Sequence, residues 1–176
     1  AAVAHAVGVD DKAVADGLRA FRGLPHRLQL VGEYAGVCWY NDSKSTTAES
    51  VRIAVTAFES PVCLIAGGRD KGCDFTVVND VLRDHVKQVI VIGEAAARMQ
   101  STWQGLVPVL RAASLPEAVR AAAARAAEGD VVVFSPGCSS FDMFRDYEER
   151  GAVFMELVRQ VAPREAAGAR GEEASR

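Results

Sequence analysis

Seven residues, Asn41-Asp42-Ser43-Lys44-Ser45-Thr46-Thr47, gather an amide, a carboxylate, an ammonium and four hydroxyls between an apolar run and a helical one. Such a junction suits an anion. The preceding Gly36-Val37-Cys38-Trp39-Tyr40 is rich in β-formers, and Glu49 to Phe58 carries Val51, Ile53, Ala54, Val55 and Phe58, the pattern of a mostly buried helix. Thr46 with Glu49 matches a capping box, which sets the helix start at Thr46 or Thr47 and turns free N–H groups and the positive dipole end toward the loop. On these residues alone a capped helix and nothing more is the readier reading, since caps are common and anion sites are not.

Two further loops have the same character. Ala66-Gly67-Gly68-Arg69-Asp70-Lys71-Gly72 and Ser135-Pro136-Gly137-Cys138-Ser139-Ser140-Phe141-Asp142 each follow an apolar β-like run, and Gly23-Leu24-Pro25-His26-Arg27 lies upstream. Each of the three anion-type loops is thereby expected at the C-terminal end of a strand, where open parallel α/β sheets bind ligands. Thr46, Lys71 and Ser140 should then border one cleft.

These four segments, in this order and followed by Phe144-Arg145-Asp146-Tyr147-Glu148-Glu149-Arg150-Gly151, resemble the C-terminal part of the Mur ligases from about Gly23 to Phe154. Asn-Asp-Ser-Lys narrows the resemblance to the branch that adds D-glutamate to UDP-N-acetylmuramoyl-L-alanine in peptidoglycan synthesis. Where that branch has Asn at the end of the motif, this chain carries Thr47, which keeps the helix cap and lacks the amide. The resemblance implies a ligase in which ATP, with Mg²⁺, phosphorylates a carboxylate and an amino acid amine then attacks the acyl phosphate. A phosphate loop of the form G-x-x-x-x-G-K-[ST] is absent from this sequence, as is a G-x-G-x-x-G after any strand. The chain is therefore expected to be the amino-acid-binding domain, inactive alone, holding neither ATP nor Mg²⁺ tightly, with UDP-N-acetylmuramoyl-L-alanine and ATP engaged through other domains.

D-Glutamate brings two carboxylates that must be anchored while its amine stays free. The resemblance places Thr46 and Lys71 near one carboxylate, and Ser140 with the backbone around Phe141 and Tyr147 near the other; Lys44 is a further cation in the right loop. A lysine point charge and a helix-opening serine are suitable donors. The resemblance assigns Arg27 and Asp42 to ATP at its ribose and adenine side. The plain alternatives are a solvated Lys71 paired with Asp70 or Asp74, a Ser140 that only caps a helix, and an Arg27–Asp42 ion pair across a hairpin. His26 reads as a structural hydrogen-bonder, His5 and His85 carry no assigned role, and Trp39 and Trp103 read as packing.

The elements that must position these loops follow from periodicity. Helical patterns at Ala1 to Val7 and Asp11 to Phe21 precede a hairpin of Arg27 to Glu33 with Val37 to Tyr40, turning at Ala35-Gly36. From Pro61 strands and helices alternate: Val62–Ala66, Val77–Val86, Gln88–Ile92, Glu94–Trp103, Leu106–Leu110, Leu115–Glu128, Val131–Phe134 and Phe141–Val161. That order predicts an α/β fold, a Rossmann-like, doubly wound, mostly parallel sheet with an N-terminal hairpin strand. The continuously apolar strands at Val62 and Val131 belong at its centre. We expect residues 1–26 to be the remnant of a preceding ATPase domain with its linker, 27–162 the amino-acid-binding domain, and 163–176 a disordered tail of Arg, Glu, Ala and Gly.

With 176 residues, a net charge of −3 and scattered charges, the composition argues against a nucleic-acid or membrane partner and for a cytoplasmic monomer acting on small molecules. The four cysteines, Cys38, Cys63, Cys73 and Cys138, have no metal-ligand spacing and read as reduced thiols. Two other readings remain: a freestanding module that binds a small anion without catalysis, and a related Mur or folylpolyglutamate-type domain taking another amino acid.

Overall fold

The structure, a computed structural model, describes residues 1–21 and 23–173, with 163–173 described by backbone alone. Helices α1 (Ala2–Ala6) and α2 (Asp11–Ala20) bury no residue, and Asp10 caps α2 by accepting the Ala13 N–H at 3.0 Å. A sheet follows, with strands β1 (Gln29–Tyr34), β2 (Val37–Asn41), β3 (Val62–Gly67), β4 (Val86–Ile92), β5 (Val109–Arg111) and β6 (Val131–Phe134) in the order β1-β2-β6-β3-β4-β5. Only β1 runs antiparallel, paired with β2 across the turn at Ala35-Gly36; every other pairing is parallel. The two continuously apolar strands, β3 and β6, lie side by side at the centre with every residue buried.

Side chains alternate across this sheet, so the core is two layers rather than one. Val62, Leu64, Ala66, Val131 and Val133 face α3 (Ala48–Val55), α4 (Asn79–His85) and α5 (Ala96–Trp103). Cys63, Ile65, Val132 and Phe134 face α6 (Leu115–Ala123) and α7 (Tyr147–Glu173), where Phe134 stacks on Phe154 with ring centroids 4.7 Å apart. Chain order runs outward from β3 through β4 to β5, then returns to β6 on the other side of β3. The direction reverses between β3 and β6, which makes their carboxyl ends the crevice where such sheets take ligands.

Several boundaries differ from the periodicity. The segment expected as one helix from Val77 divides into a 3-10 turn, Phe75–Val78, capped by Asp74, and α4, while Val86 joins β4. The helix α6 ends at Ala123, short of Glu128, because Gly129 adopts φ 87° and Asp130 accepts the Ala127 N–H at 2.7 Å to turn the chain into β6. Ile53 is 69% exposed on α3 although it fits the apolar stripe. The helix expected from Phe141 starts at Tyr147, and residues 141–146 form turns. The segment read as a tail, 163–176, continues the α7 backbone to Glu173, consistent with its alanine-rich composition; its side chains and last three residues lie outside the described residues.

Candidate functional site

The loop leaving β2 is organised by its own polar residues. Asn41, fully buried, accepts the Ser43 N–H at 3.0 Å, while its amide nitrogen meets His26 Nδ1 at 2.9 Å and the Gly151 carbonyl at 3.4 Å. This amide therefore staples loop, upstream linker and α7 together, and His26 is the structural hydrogen-bonder its position suggested. Asp42, 5% exposed, accepts from Leu28 N–H at 3.2 Å, Ser135 Oγ at 2.9 Å and Ser45 Oγ. Burial pushes its carboxyl above the ordinary range, against the opposing pull of those hydrogen bonds and of Arg27's charge. Three of its roughly four lone-pair sites are used, leaving one on Oδ1. No Arg27–Asp42 ion pair forms among the described residues; the two instead border a cavity of about 220 Å³ shared with Leu28, Ser45, Ser50 and Ile53.

The cap of α3 is Thr47, whose Oγ1 accepts the Ser50 N–H at 3.4 Å, and not the Thr46–Glu49 box read from the sequence. Two hydroxyl residues in a row made the register ambiguous, and the extended backbone at Thr47 resolves it. Thr46 is left half-buried and free of the capping role.

The loops after β3 and β6 meet at the reversal point. Gly67 donates to the Pro136 carbonyl at 2.8 Å, Arg69 N–H to Ser139 O at 2.9 Å, and Gly137 N–H to Ser45 O at 3.0 Å, which laces all three loops by backbone contacts. Gly68, at φ 140°, sits where a Cβ would run into the Ser139 carbonyl oxygen, so the close approach needs glycine.

At the centre of this junction lies Arg150, fully buried on α7. Its Nε donates to Ser43 Oγ at 3.0 Å, Nη2 to Ser43 O at 2.8 Å and Nη1 to Cys138 O at 3.0 Å, so one guanidinium ties the β2 loop to the β6 loop. It forms no salt bridge with a carboxylate among the described residues, and burial lowers its pKa to about 10. The sequence carried a signal for it. Arg150 stands on the stripe Phe154, Val158, Ala162 that packs on the sheet, a charge where an apolar residue fits the period.

The expected anion donors share this pole of the sheet. Lys44 holds its ammonium 5.1 Å from the Tyr147 ring centroid, and Tyr147 is fixed in turn by Ser43 Oγ donating to its carbonyl at 2.8 Å. Ser140 is buried, but it does not open α7; its carbonyl accepts from Met143 at 3.1 Å and Phe144 at 2.9 Å, forming a turn. Phe141 is 62% exposed beside it. Lys71 is exposed and has no hydrogen bond or ion pair among the described residues, because the acids expected to hold it are engaged elsewhere. Asp70 takes both oxygens to Arg98 Nη1 at 2.8 Å, and Asp74 caps the following turn through Thr76. The cavity beside Arg27 is not walled by Lys71 or Ser140, so it is not the single shared cleft drawn from the sequence.

Among the described residues no group of three His, Cys, Asp or Glu side chains can hold a metal ion, and no helix is long and apolar enough to cross a membrane. All four cysteines are free; burial drives the Cys63 thiol to about 11 and the Cys138 thiol to about 12.

A family model described as "Mur ligase, glutamate ligase domain" matches residues 26–138. The chain is 45% identical over 161 residues to the UDP-N-acetylmuramoylalanine--D-glutamate ligase of Chlorobaculum parvum, covering 92% of this chain and 34% of that protein. It thus spans about a third of the length of the curated relatives it matches. Among solved structures, UDP-N-acetylmuramate-alanine ligase MurC from Thermotoga maritima superposes with a TM-score of 0.66 at 16% identity, covering 90% of this chain and 36% of that one. The bifunctional folylpolyglutamate synthase/dihydrofolate synthase from Yersinia pestis, complexed with AMPPNP and Mn ion, gives 0.59 at 20% identity, covering 84% and 34%. These two likenesses speak for the fold, an α/β sheet of six strands with helices on both sides.

Proposed function

The chain belongs to the Mur ligase family, and on that premise we propose that it is the amino-acid-binding domain of an ATP-dependent ligase joining D-glutamate to UDP-N-acetylmuramoyl-L-alanine in peptidoglycan synthesis. The observation that carries this reading is a match to D-glutamate ligases that covers 92% of this chain and 34% of the Chlorobaculum parvum protein, on a chain whose three loops are laced at the sheet's reversal point. In this proposal Lys71 and Thr46 hold one carboxylate of D-glutamate. The Ser140 hydroxyl and the backbone around Phe141 and Tyr147 hold the other, and Lys44, steered by the Tyr147 ring, adds positive potential. Anchoring both acids leaves the α-amine free to be aimed at the activated carboxylate, and that positioning is the domain's contribution to rate. Arg27 and the open lone pair of Asp42 Oδ1 face the nucleotide across the cavity they share.

The chain alone, lacking a phosphate loop, should neither hydrolyse ATP nor form a bond. We also propose a cytoplasmic, monomeric ligase without nucleic-acid or membrane partners; its free cysteines suit a reducing compartment, and its net charge of −3 offers no basic excess for nucleic acid or an anionic membrane.

A ligation assay on the intact ligase with several amino acids, each substrate varied in turn, tests the reading. D-Glutamate should be the preferred acceptor, since a site spanning two carboxylates rejects singly charged or shorter amino acids. Lys71→Ala and Ser140→Ala should raise the KM for D-glutamate by about one to two orders of magnitude and spare that for ATP, and Arg27→Ala should do the reverse. A Lys71→Ala defect confined to the ATP titration would overturn the assignment.

A further inference from the structure

Lys71 lies between two acids, Asp70 and Asp74, in an exposed glycine-flanked loop, an arrangement that ordinarily ends in a local ion pair. Neither acid pairs with it among the described residues: Asp70 is held by a residue on another element, and Asp74 by its own turn. Arg98, on α5, donates through Nη1 to both oxygens of Asp70 at 2.8 Å, through Nη2 to the Cys73 carbonyl, and lays its guanidinium 4.9 Å from the Phe75 ring centroid. Asp70 also accepts the Gly72 N–H at 2.8 Å, and Asp74 accepts from Thr76 N–H at 2.9 Å and Thr76 Oγ1 at 2.7 Å. The loop Arg69–Asp74 is thus pinned from both sides while the ammonium between its acids stays unpaired.

We propose that Arg98 is a positioning residue for amino acid capture: by engaging Asp70 it withholds the sequence-adjacent acid from Lys71, keeping that ammonium available for a carboxylate of the incoming substrate. The inference rests on the proposed role of Lys71. Its chemistry is competition between two cations for one carboxylate. A planar guanidinium with fixed donors and an aromatic surface beneath it holds the acid better than a flexible ammonium does. Substrate binding then need not break a Lys71–Asp70 pair, a cost that would otherwise weaken affinity.

The test uses the intact ligase and steady-state kinetics in D-glutamate and in ATP. Arg98→Ala should raise the KM for D-glutamate about two- to fivefold, the strength of the exposed Lys71–Asp70 pair that substrate would then have to break, with the KM for ATP and kcat little changed. Asp70→Asn in the Arg98→Ala background should return the D-glutamate KM most of the way to the parent value, because the competing carboxylate is gone. A purely structural role predicts no such rescue, since a neutral amide facing an alanine cannot rebuild the pin. Asp70→Asn alone, which keeps Arg98, should leave the D-glutamate KM near the parent value and shows that the loop tolerates the change. Failure of the double variant to recover, or an unchanged KM in Arg98→Ala while Lys71→Ala is impaired, overturns the role of Arg98 alone. An unchanged D-glutamate KM in Lys71→Ala overturns both this inference and the carboxylate assignment beneath it.

Discussion

The two ends of the central strands differ in how they treat polar groups. At the carboxyl ends Asn41, Asp42, Ser43, Ser45, Ser135, Ser139, Ser140 and Arg150 are all buried, and the side chains of Asn41, Asp42, Ser43, Ser45, Ser135 and Arg150 bond to backbone or to one another across the loops. At the amino ends one polar group, Asp130, is buried, and it is paired with Lys87, whose side chain reaches solvent. A cavity there, lined by Glu59, Ser60, His85 and Lys87, is an open surface feature with no buried polar group in its wall. Burying polar groups costs free energy unless every one is satisfied, so a fold concentrates them only where their arrangement has a use. The carboxyl end, where the ligand site is proposed, is therefore the costly end, held in shape by contacts that also order it. Even there satisfaction is incomplete: Ser139 Oγ and Asp142 Oδ1 are buried without a partner, while Asp142 Oδ2 accepts the Glu94 N–H at 3.0 Å.

The largest effect should come from the residue on which that end depends. Arg150→Met removes the donors to the Ser43 carbonyl, the Cys138 carbonyl and the Ser43 hydroxyl, which keeps only its bond to the Tyr147 carbonyl, and should lower stability in urea unfolding by about 3 kcal/mol or more. Arg150→Lys should recover little of it, since one ammonium cannot reproduce three donors in a plane.

A matched pair of glycine substitutions compares the ends directly. Gly68→Ala meets the Ser139 carbonyl in addition to its φ of 140°, whereas Gly129, at φ 87° near the amino ends, has open space around it. The first should cost about 2–3 kcal/mol and the second about 1 kcal/mol by the same unfolding measurement. Equal losses would mean that backbone strain alone, and not the lacing of the loops, sets the cost.

The third effect is pH-dependent. Asp42's carboxyl is held above its ordinary value of 3.8, chiefly by burial, so the folded state binds that proton more tightly than the unfolded chain. The associated stability is fully present below pH 3.8 and is lost as pH rises through the raised folded value. Relative to the parent, Asp42→Asn should show a shallower fall in unfolding free energy across that window when urea titrations are compared from about pH 4 upward. Parallel curves would mean that Asp42 ionises normally despite its burial.

The smallest effect belongs to the amino-end pair. Lys87→Ala should cost about 1 kcal/mol or less, because the lysine is partly exposed and Asp130, though buried, keeps the Ala127 N–H.

Local patterns were legible wherever one element decided them. The apolar runs at Val62 and Val131 identified central strands because a strand covered on both faces admits no polar residue, and β6 matches its expected bounds. Asn41 to Thr47 declared a polar loop before a helix for the same local reason. The helix expected from Phe141 begins at Tyr147: the Ser140 carbonyl closes a local turn with Met143 and Phe144, and Asp142 Oδ2 accepts the Glu94 N–H, a long-range contact that periodicity does not encode.

What the sequence determined by itself is the set of chemical groups, their order along the chain and the alternation of strand and helix, since these depend on period and on neighbours within a few residues. Which cation is buried and which is free, Arg150 against Lys71, was decided only by the tertiary structure. A charge is committed or released by the partners that come within about 3 Å of it, and for Arg150 and Arg98 those partners lie on other elements: Ser43, 107 residues from Arg150, and Asp70, 28 residues from Arg98.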